Sequence, residues 1–210
     1  GARGFLGTNL TRRLLSDGKT VIGLVRDDGA WGAYPHEKLI RVFGDVRDVD
    51  LVFRLLVDYD IEAVVHLAAQ AIVPKALLEP YETLDSNIRG TYSVLEACRR
   101  YRDEIKAIIC QSSDKALGSQ KVPYTTDSVL KGRFPYDASK AAAELMAHSY
   151  AETYTLPVVI TRCSNIFGPW DTNESRLIPQ TIKSVLDNCP PLIRSDGSPE
   201  RDFIFVDDVV

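Results

Sequence analysis

Short apolar runs alternate with amphipathic stretches along this chain of 210 residues. The runs at 20–25 and 63–67 are rich in valine and isoleucine, as buried strands are. The stretches at 49–59 and 137–154 carry apolar residues at helical spacing. Strands that alternate with helices predict a doubly wound α/β fold, in which helices cover both faces of a parallel sheet.

The same periodicity predicts the remaining elements and two regions. Further strands are expected at 39–43, 105–111, 158–162, 192–194 and 203–206, and further helices from the first glycines to 16, at 81–101 and at 177–188. We expect a dinucleotide-binding Rossmann domain at 1–168 and the start of a substrate-binding region at 169–210. Because no strand precedes the first glycines and the end is abrupt, we expect a fragment lacking material at both ends.

Composition narrows the functional classes. The net charge is −4 at pH 7 and the basic residues form no extended stripe, so nucleic-acid binding is not expected. No apolar run is long enough to span a membrane, and no signal-peptide pattern is present. The cysteines and histidines lack metal-ligand spacing; they are Cys98, Cys110, Cys163, Cys189, His36, His66 and His148. We therefore expect a cytoplasmic protein with free thiols, no metal and no membrane contact.

Tyr136 and Lys140 form the most informative pair. Four residues apart on a predicted helix, they share one face of it. A phenol with a pKa near ~10 is a poor base at neutral pH, and a neighbouring ammonium is expected to lower that pKa. The pair is then suited to move a proton at a sugar or alcohol hydroxyl. Since the pattern also arises by chance, its weight comes from its context.

Three glycines at a spacing of three stand at the start of the chain. Gly1, Gly4 and Gly7 lead into a predicted helix, where backbone amides can approach a pyrophosphate and the helix N-terminus favours negative charge. The alternative is a flexible terminus with incidental glycines. The pattern downstream favours the phosphate-binding turn.

The ends of the next two strands offer residues that could read an adenosine. An acidic residue after the first would select NAD, whereas an arginine would accept the extra phosphate of NADP. Both Arg26 and Asp27 follow Val25, and this register leans toward NADP through Arg26. Asp45 is expected to accept a hydrogen bond from the adenine amino group, or else to be the N-cap of the following helix.

Four polar residues follow the apolar strand predicted at 105–111. Ligands of such sheets bind at the carboxyl ends of the strands, and packing does not explain this run. Ser113 is placed to bind a substrate oxygen beside Tyr136, Asp114 to protonate a leaving hydroxyl, and Lys115 to take a proton next to a carbonyl. The alternative is the start of a solvated loop.

The combination and order of the motifs resemble the extended short-chain dehydrogenase/reductase family, specifically its nucleotide-sugar epimerases and dehydratases. The segments that carry the resemblance are 1–7, 44–46, 66–70, 87–91, 112–115, 136–140, 162–169 and 201–203. The resemblance implies a bound nicotinamide cofactor, Tyr136 as the catalytic acid/base, Lys140 on the nicotinamide ribose and Ser113 as the hydroxyl partner of Tyr136.

Two further sets of residues follow from the strand ends and this resemblance. The expected cofactor-binding residues are Gly1, Gly4, Phe5, Leu6, Gly7, Arg26, Asp45, Val46, Leu67, Ala68, Ala69, Asn87, Ser112, Tyr136 and Lys140. The expected substrate-binding residues are Gln70, Asn165, Arg176 and Arg201. Relatives commonly dimerise through two long helices, which implies a homodimer through 81–101 and 137–154.

Within the family, Asp114-Lys115 and the segment 67–70 resemble CDP-glucose 4,6-dehydratase, which implies NAD and a CDP-glucose substrate. Leu117 departs from the tyrosine of many relatives, and 201–209 is similar to the general epimerase/dehydratase pattern. The alternative enzyme is a nucleotide-sugar 4-epimerase, in which Asp114 and Lys115 are bystanders. The alternative from another class is a non-catalytic, cofactor-sensing binding protein on the same fold. Such a protein would have a broken Tyr/Lys pair, whereas the pair is intact in this sequence.

Overall fold

A computed structural model describes residues 1–27 and 36–210. Its helices are α1 (Phe5–Ser16), α2 (Val49–Asp58), α3 (Val73–Leu78), α4 (Pro80–Leu84), α5 (Gly90–Arg100), α6 (Pro135–Tyr154), α7 (Leu177–Leu186) and α8 (Val206–Val209). Its strands are β1 (Val21–Val25), β2 (Leu39–Phe43), β3 (Ala63–His66), β4 (Ala107–Gln111), β5 (Val158–Thr161), β6 (Asn165–Phe167) and β7 (Phe203–Phe205). Within these ranges no helix has the length and apolar character needed to cross a membrane.

Every strand pair in the described residues is parallel. β1 pairs with β2, β4 lies between β3 and β5, and β6 pairs with β7. Helices lie between β2 and β3, between β3 and β4 and between β4 and β5, so the predicted α/β fold class is confirmed. Because β3, β4 and β5 run the same way, the segments that follow them leave one edge of the sheet together.

The core lies between the sheet and helices α2, α5 and α6. Leu95 of α5 and Ile108 of β4 are fully buried, and Ala147 of α6 packs in the same cluster. Burying a leucine or isoleucine side chain contributes about 1.5–3 kcal/mol relative to exposure. This packing holds α6 against the sheet and therefore fixes Tyr136 and Lys140 relative to the strand ends.

Two predicted elements differ from the structure. The strand expected at 192–194 is absent, because β7 is the strand that pairs with β6 and leaves Leu192 and Ile193 exposed. The single helix expected at 81–101 changes its hydrogen-bond pattern, since a π-helix at Asp85–Arg89 separates α4 from α5. Such a π-turn is rare and occurs often at functional sites.

Candidate active site

The glycine turn is packed too closely for side chains. A Cβ on Gly1 would lie 2.3 Å from the carbonyl carbon of Leu67, at the end of β3. A Cβ on Gly7 would lie 2.2 Å from the carbonyl oxygen of Gly1. The turn therefore sits directly against the segment that carries Leu67, Ala68 and Ala69.

Helix α1 begins at this turn without a side-chain cap. Gly4 is its N-cap and has no side chain to accept a hydrogen bond. The amides of the first turn, which include those of Phe5 and Leu6, have no partner within the helix. They can donate to an anion at the positive end of the helix dipole, so this turn fits the pyrophosphate of a dinucleotide.

An ion pair links the end of β1 to the glycine turn. The Arg3 guanidinium bonds the Asp27 carboxylate and, at 3.2 Å, the Asp27 carbonyl oxygen. Arg26 is exposed, and its charge contributes to the lowered pKa of Asp45. Arg26 and Asp27, the two candidates to contact the adenosine ribose, thus lie at the edge of the sheet that holds the glycine turn.

Asp45 is held by Arg47. Its carboxylate accepts the Arg47 backbone N–H at 2.9 Å, Nε at 3.0 Å and Nη2 at 2.7 Å, and these hydrogen bonds lower its pKa. Arg47 also donates to Asp85 at 2.6 Å. The alternative role of Asp45 as a helix cap is wrong, because Asp48 is the N-cap of α2 and accepts from Leu51 at 2.9 Å. In the sequence, only the proximity of Arg47 to Asp45 indicated that it takes part in this site.

Asn87, inside the π-helix, clamps the segment after β3 to α6. Its amide nitrogen donates to the Ser139 hydroxyl at 2.8 Å and to the Gln70 carbonyl at 3.1 Å, and its oxygen accepts from the Gln70 N–H at 2.7 Å. Ser139 in turn donates to the Tyr136 carbonyl at 2.7 Å. Both amide hydrogens of Asn87 are used, so the predicted cofactor contact could use only its oxygen.

Gln70 and Ser112 are likewise engaged within the protein. The Gln70 amide bonds the backbone of Ile72 in both directions and donates to Thr83 at 3.2 Å. The Ser112 hydroxyl donates to Glu144 at 2.8 Å. A direct ligand contact by Gln70 or Ser112 would therefore compete with these bonds.

Tyr136 is buried beside Ser113. Burial raises the pKa of Tyr136, and its hydrogen bond with Ser113 lowers that pKa. The expectation that Lys140 lowers this pKa is not met in the structure. The Lys140 ammonium donates to the Gln111 carbonyl at 2.8 Å instead, so desolvation of the phenol prevails.

Lys140 and His66 lie together under the strand ends. Burial is the largest cause that lowers the pKa of Lys140 to about 8 and the pKa of His66 to about 3. The Thr91 hydroxyl donates to the Asn87 carbonyl at 2.7 Å, so Nε2 of His66 donates to the Thr91 oxygen across 3.0 Å. A neutral His66 beside a largely protonated Lys140 follows at neutral pH.

The segment after β4 brings an acid, a base and a hydroxyl together. Ser113 donates to Asp114 at 3.0 Å and accepts the Lys115 N–H at 3.2 Å, so it caps the 3₁₀-helix at Asp114–Leu117. Asp114 and Lys115 line a cavity of about 1250 Å³, together with the predicted substrate residues Asn165 and Arg201. This cavity is large enough for a nucleotide-sugar.

The other predicted substrate arginine lies toward the cofactor turn. Arg176 pairs with the buried Asp171 carboxylate at 3.1 Å, and its guanidinium stands 5.8 Å from the centre of the Phe5 ring. Its charge lowers the pKa of Tyr136, opposing the effect of burial. Arg176 therefore stands between the glycine turn and the phenol, whereas Arg201 lines the cavity.

Glu144 and Arg162 are polar residues near the site that the sequence argument did not select. Glu144 is buried on α6, one turn after Lys140, and pairs with Arg162 just after β5. A glutamate on the buried face of an alanine-rich helix was the available signal. The partner that stabilises it is 18 residues further along the chain.

A family model described as the NAD dependent epimerase/dehydratase family matches residues 1–210. A dTDP-glucose 4,6-dehydratase of Mycolicibacterium smegmatis is 33% identical over 224 residues, which cover 99% of this chain and 64% of that protein. A trifunctional UDP-glucose 4,6-dehydratase of Arabidopsis thaliana is 32% identical and is covered to 33% of its length. The chain thus spans less than two thirds of these relatives.

Two solved structures extend the comparison. DesIV, a dTDP-glucose 4,6-dehydratase from Streptomyces venezuelae with NAD bound, matches with a TM-score of 0.88 and 31% identity over 100% of this chain and 67% of DesIV. A UDP-glucose 4-epimerase from Thermotoga maritima, solved with UDP-glucose, matches with a TM-score of 0.90 and 26% identity over 100% of this chain and 69% of the epimerase. Dehydratases and epimerases are therefore both similar in fold.

Proposed function

This chain belongs to the NAD dependent epimerase/dehydratase family, and from that premise we propose that its protein is a nucleotide-sugar 4,6-dehydratase. The observation that carries the proposal is Ser113 beside Tyr136, followed in the chain by Asp114 and Lys115, which line a cavity of about 1250 Å³. Relatives named as dTDP-glucose and UDP-glucose 4,6-dehydratases support the same reaction. In this proposal residues 1–168 bind the cofactor and 169–210 begin the substrate-binding region.

NAD is the cofactor we propose. The glycine turn fits a pyrophosphate, and similar structures solved with NAD outweigh the lean toward NADP that Arg26 suggests. Bound NAD would supply reversible hydride exchange, first with C4 and then with C6 of the sugar. The residues proposed to hold it are Gly1, Gly4, Phe5, Leu6, Gly7, Arg26, Asp45, Val46, Leu67, Ala68, Ala69, Asn87, Ser112, Tyr136 and Lys140.

Tyr136 moves the proton at the 4-hydroxyl. As C4 is oxidised, the phenolate oxygen of Tyr136 takes the hydroxyl proton, and the Ser113 hydroxyl would stabilise the phenolate when it turns from Asp114 to Tyr136. Lys140 is only 8% exposed. A bound nicotinamide ribose would therefore accept a hydrogen bond from the Lys140 ammonium at a site that water scarcely reaches. The charge of Arg176, and not that of Lys140, opposes the burial that raises the pKa of Tyr136.

The elimination uses Asp114 and Lys115. A carbonyl at C4 acidifies the proton on C5, which Lys115 removes. The C5–H electron pair forms the C5=C6 double bond and the C6–O bond breaks. Asp114, which must first take up a proton because its oxygens accept the Ser113 and Ser164 hydroxyls, gives that proton to the departing oxygen and makes it water. The Ser113 and Ser164 hydroxyls bond the two Asp114 oxygens at 3.0 and 3.4 Å and hold the carboxyl at the cavity.

Substrate recognition is assigned to four residues at two places. Asn165 and Arg201 line the cavity. Gln70 and Arg176 stand nearer the cofactor turn, where Arg176 is suited to a diphosphate. The substrate class we propose is a nucleoside-diphosphate glucose, with CDP-glucose as the prediction from Asp114-Lys115 and the segment 67–70.

We further propose a homodimer and a cytoplasmic location. Tyr81 and Tyr92 on the α4–α5 stretch, and Leu145 on α6, are 80%, 40% and 54% exposed, as an apolar helix interface would leave them in a single chain. The four cysteines are unpaired, which supports a reducing compartment. Sedimentation of the full-length protein should give a dimer that Leu145→Glu dissociates, and a monomeric wild type would overturn the dimer.

The function is tested by supplying full-length protein with CDP-glucose, dTDP-glucose, UDP-glucose and GDP-mannose. A 4-keto-6-deoxy product, whose ketone gives an ultraviolet absorbance in alkali that the substrates lack, is expected from one of the glucose nucleotides. A C4 epimer without this absorbance would establish the epimerase alternative, and the absence of either product would overturn both activities.

Lys115→Ala tests the proposed base within that assay. The variant should lose elimination while its bound NAD remains, because Lys115 contacts the sugar and not the cofactor. Lys121→Ala is the matched control, since this exposed lysine lies in the same loop outside the cavity lining. Undiminished elimination by Lys115→Ala would show that another group removes the C5 proton.

A further inference from the structure

A buried carboxylate lies directly beneath the proposed catalytic segment. Glu144 has a fully buried side chain, and one of its oxygens accepts the Ser112 hydroxyl at 2.8 Å. Ser112 immediately precedes Ser113, the proposed partner of Tyr136. A buried carboxylate requires a charged partner and several hydrogen bonds, because its desolvation is costly.

Arg162 supplies that partner. Its Nε donates to the other Glu144 oxygen at 2.8 Å, and its Nη2 bonds the same oxygen. Its Nη1 turns the opposite way and donates to the carbonyls of Thr126 at 3.0 Å and Thr125 at 3.4 Å. The guanidinium therefore links helix α6 to the loop at 125–126, which lines the same cavity as Asp114 and Lys115.

Backbone hydrogen bonds connect this pair to the catalytic segment. The Ser112 N–H donates to the Thr161 carbonyl at 2.7 Å, and the Asp114 N–H donates to the Cys163 carbonyl at 3.4 Å. Arg162 stands between Thr161 and Cys163 in the chain. The Glu144–Arg162 pair thus has the catalytic segment on one side and the 125–126 loop on the other.

We propose that Glu144 and Arg162 are positioning residues, which hold Ser113, Asp114 and Lys115 at a set distance from Tyr136 and close the cavity wall at 125–126. The expected effect on kcat rests on the proposed function. The expected effect on the structure of the catalytic segment and the 125–126 loop does not depend on it. Tyr136 and Glu144 share helix α6, so one carboxylate fixes the phenol's helix to the segment that carries its partner. A displacement of about 1 Å in such a constellation can cost roughly 100-fold in rate.

Two substitutions separate the two ends of the pair. Glu144→Gln removes the charge, while its amide oxygen still accepts one hydrogen bond. Arg162→Lys keeps a cation for Glu144 but cannot form the fork that also reaches Thr125 and Thr126. Glu152→Gln is the matched control, because Glu152 lies on the same helix in an exposed position.

Backbone hydrogen exchange and steady-state kinetics of the full-length protein provide the readouts. In Glu144→Gln, exchange should accelerate at both 112–118 and 122–128, whereas in Arg162→Lys it should accelerate mainly at 122–128. The kcat should fall roughly 100-fold in Glu144→Gln and about ten-fold in Arg162→Lys, while the KM for the sugar nucleotide changes less than about three-fold. Glu152→Gln should match the wild type in both measurements.

Several outcomes would overturn the inference. Unchanged exchange at 112–128 in both folded variants, or a uniform increase over the chain, would make the pair an ordinary stabilising contact. If Glu144→Gln does not fold, Ser112→Ala removes the link to the catalytic segment. Its bound NAD is measured alongside, because Ser112 is also proposed to contact NAD, and wild-type kcat in that variant would overturn the proposal. A wild type without turnover refutes the proposed function alone, since the exchange comparison still decides the positioning role.

Discussion

Two groups of charged residues in this molecule differ in their access to water. On α5, Glu96 pairs with Arg99 at 2.8 Å and Arg100 at 3.1 Å, and Arg100 also pairs with Asp50 at 2.9 Å. Beneath the strand ends, Lys140 and Glu144 are 8% and 2% exposed. The first group shares its charges with solvent, whereas the second group depends on protein atoms alone.

This difference separates charges that cost stability from charges that scarcely affect it. Exposed ion pairs are screened by water and salt, and they contribute little. Burying a charge costs desolvation free energy, and buried charges therefore occur mainly where a reaction requires them. The buried group lies next to Tyr136, so the comparison itself points to the site.

The largest effect is expected from Lys140→Met. In the folded protein burial lowers the pKa of Lys140 from 10.5 to about 8, so below pH 8 the native state carries a buried charge that the unfolded state solvates freely. Removing it should raise the free energy of unfolding at pH 7 by roughly 3 kcal/mol, less the cost of the lost hydrogen bond to the Gln111 carbonyl, while turnover is lost with the ammonium.

The pH dependence tests this cause. Because the unfolded state binds more protons than the native state between pH 8 and 10.5, the wild type gains stability over that window. The advantage of Lys140→Met in urea denaturation should therefore shrink as the pH rises from 8 to 10.5. Lys106→Met, at a lysine whose side chain is 71% exposed, is the surface control for removing a lysine. A Lys140→Met variant less stable than wild type at pH 7 would contradict the burial cost.

Asn87→Ala should have the next largest effect. Asn87 is 1% exposed and makes three hydrogen bonds to Gln70 and Ser139, so alanine leaves buried partners unsatisfied. We expect a loss of roughly 2–3 kcal/mol in the free energy of unfolding, measured in urea. The control Asn9→Ala, whose amide donates to Phe5 and Pro169 carbonyls at a more exposed position, should lose less. Equal losses would mean that burial does not set the cost.

The regular elements were accessible from the sequence because their apolar periodicity is local. The apolar run at 39–43 was predicted with the bounds that β2 has. The run at 192–194 was not a strand, because a strand also needs a pairing partner and β6 pairs with β7 instead. Pairing partners are a property of the assembled chain, which local patterns do not contain.

The candidate site was predictable in its members but less so in their interactions. Tyr136, Ser113 and Asp114 were expected together and lie together. The effect of Lys140 on Tyr136 was mistaken, because spacing indicates proximity while the depth of burial sets the pKa. Glu144 was not selected, since a buried charge is stabilised by a partner that only the fold brings near.

His66→Gln should show a smaller effect, on the acid side. Burial lowers the pKa of His66 from 6.5 to about 3, so the unfolded state binds the proton first and stability falls as the pH drops from 6.5 toward 3. Between pH 6.5 and 5 this group should cost the wild type roughly 2 kcal/mol. Glutamine can still donate to Thr91 and does not titrate. The free energy of unfolding of His66→Gln, measured in urea, should therefore fall less steeply over this pH range. Parallel losses in both proteins would assign the acid sensitivity to other groups.

The smallest effect is expected from Arg100→Ala, within the exposed group. The Arg100 side chain is 38% exposed and its partners Asp50 and Glu96 are 70% and 23% exposed, so water replaces the two lost ion pairs at little cost. The melting temperature should change by less than about 2 °C, and this small difference should vanish in 1 M salt, where the Debye length is about 3 Å. A larger, salt-insensitive loss would mean that these pairs behave like the buried group. The contrast between the two groups would then reflect something other than access to water.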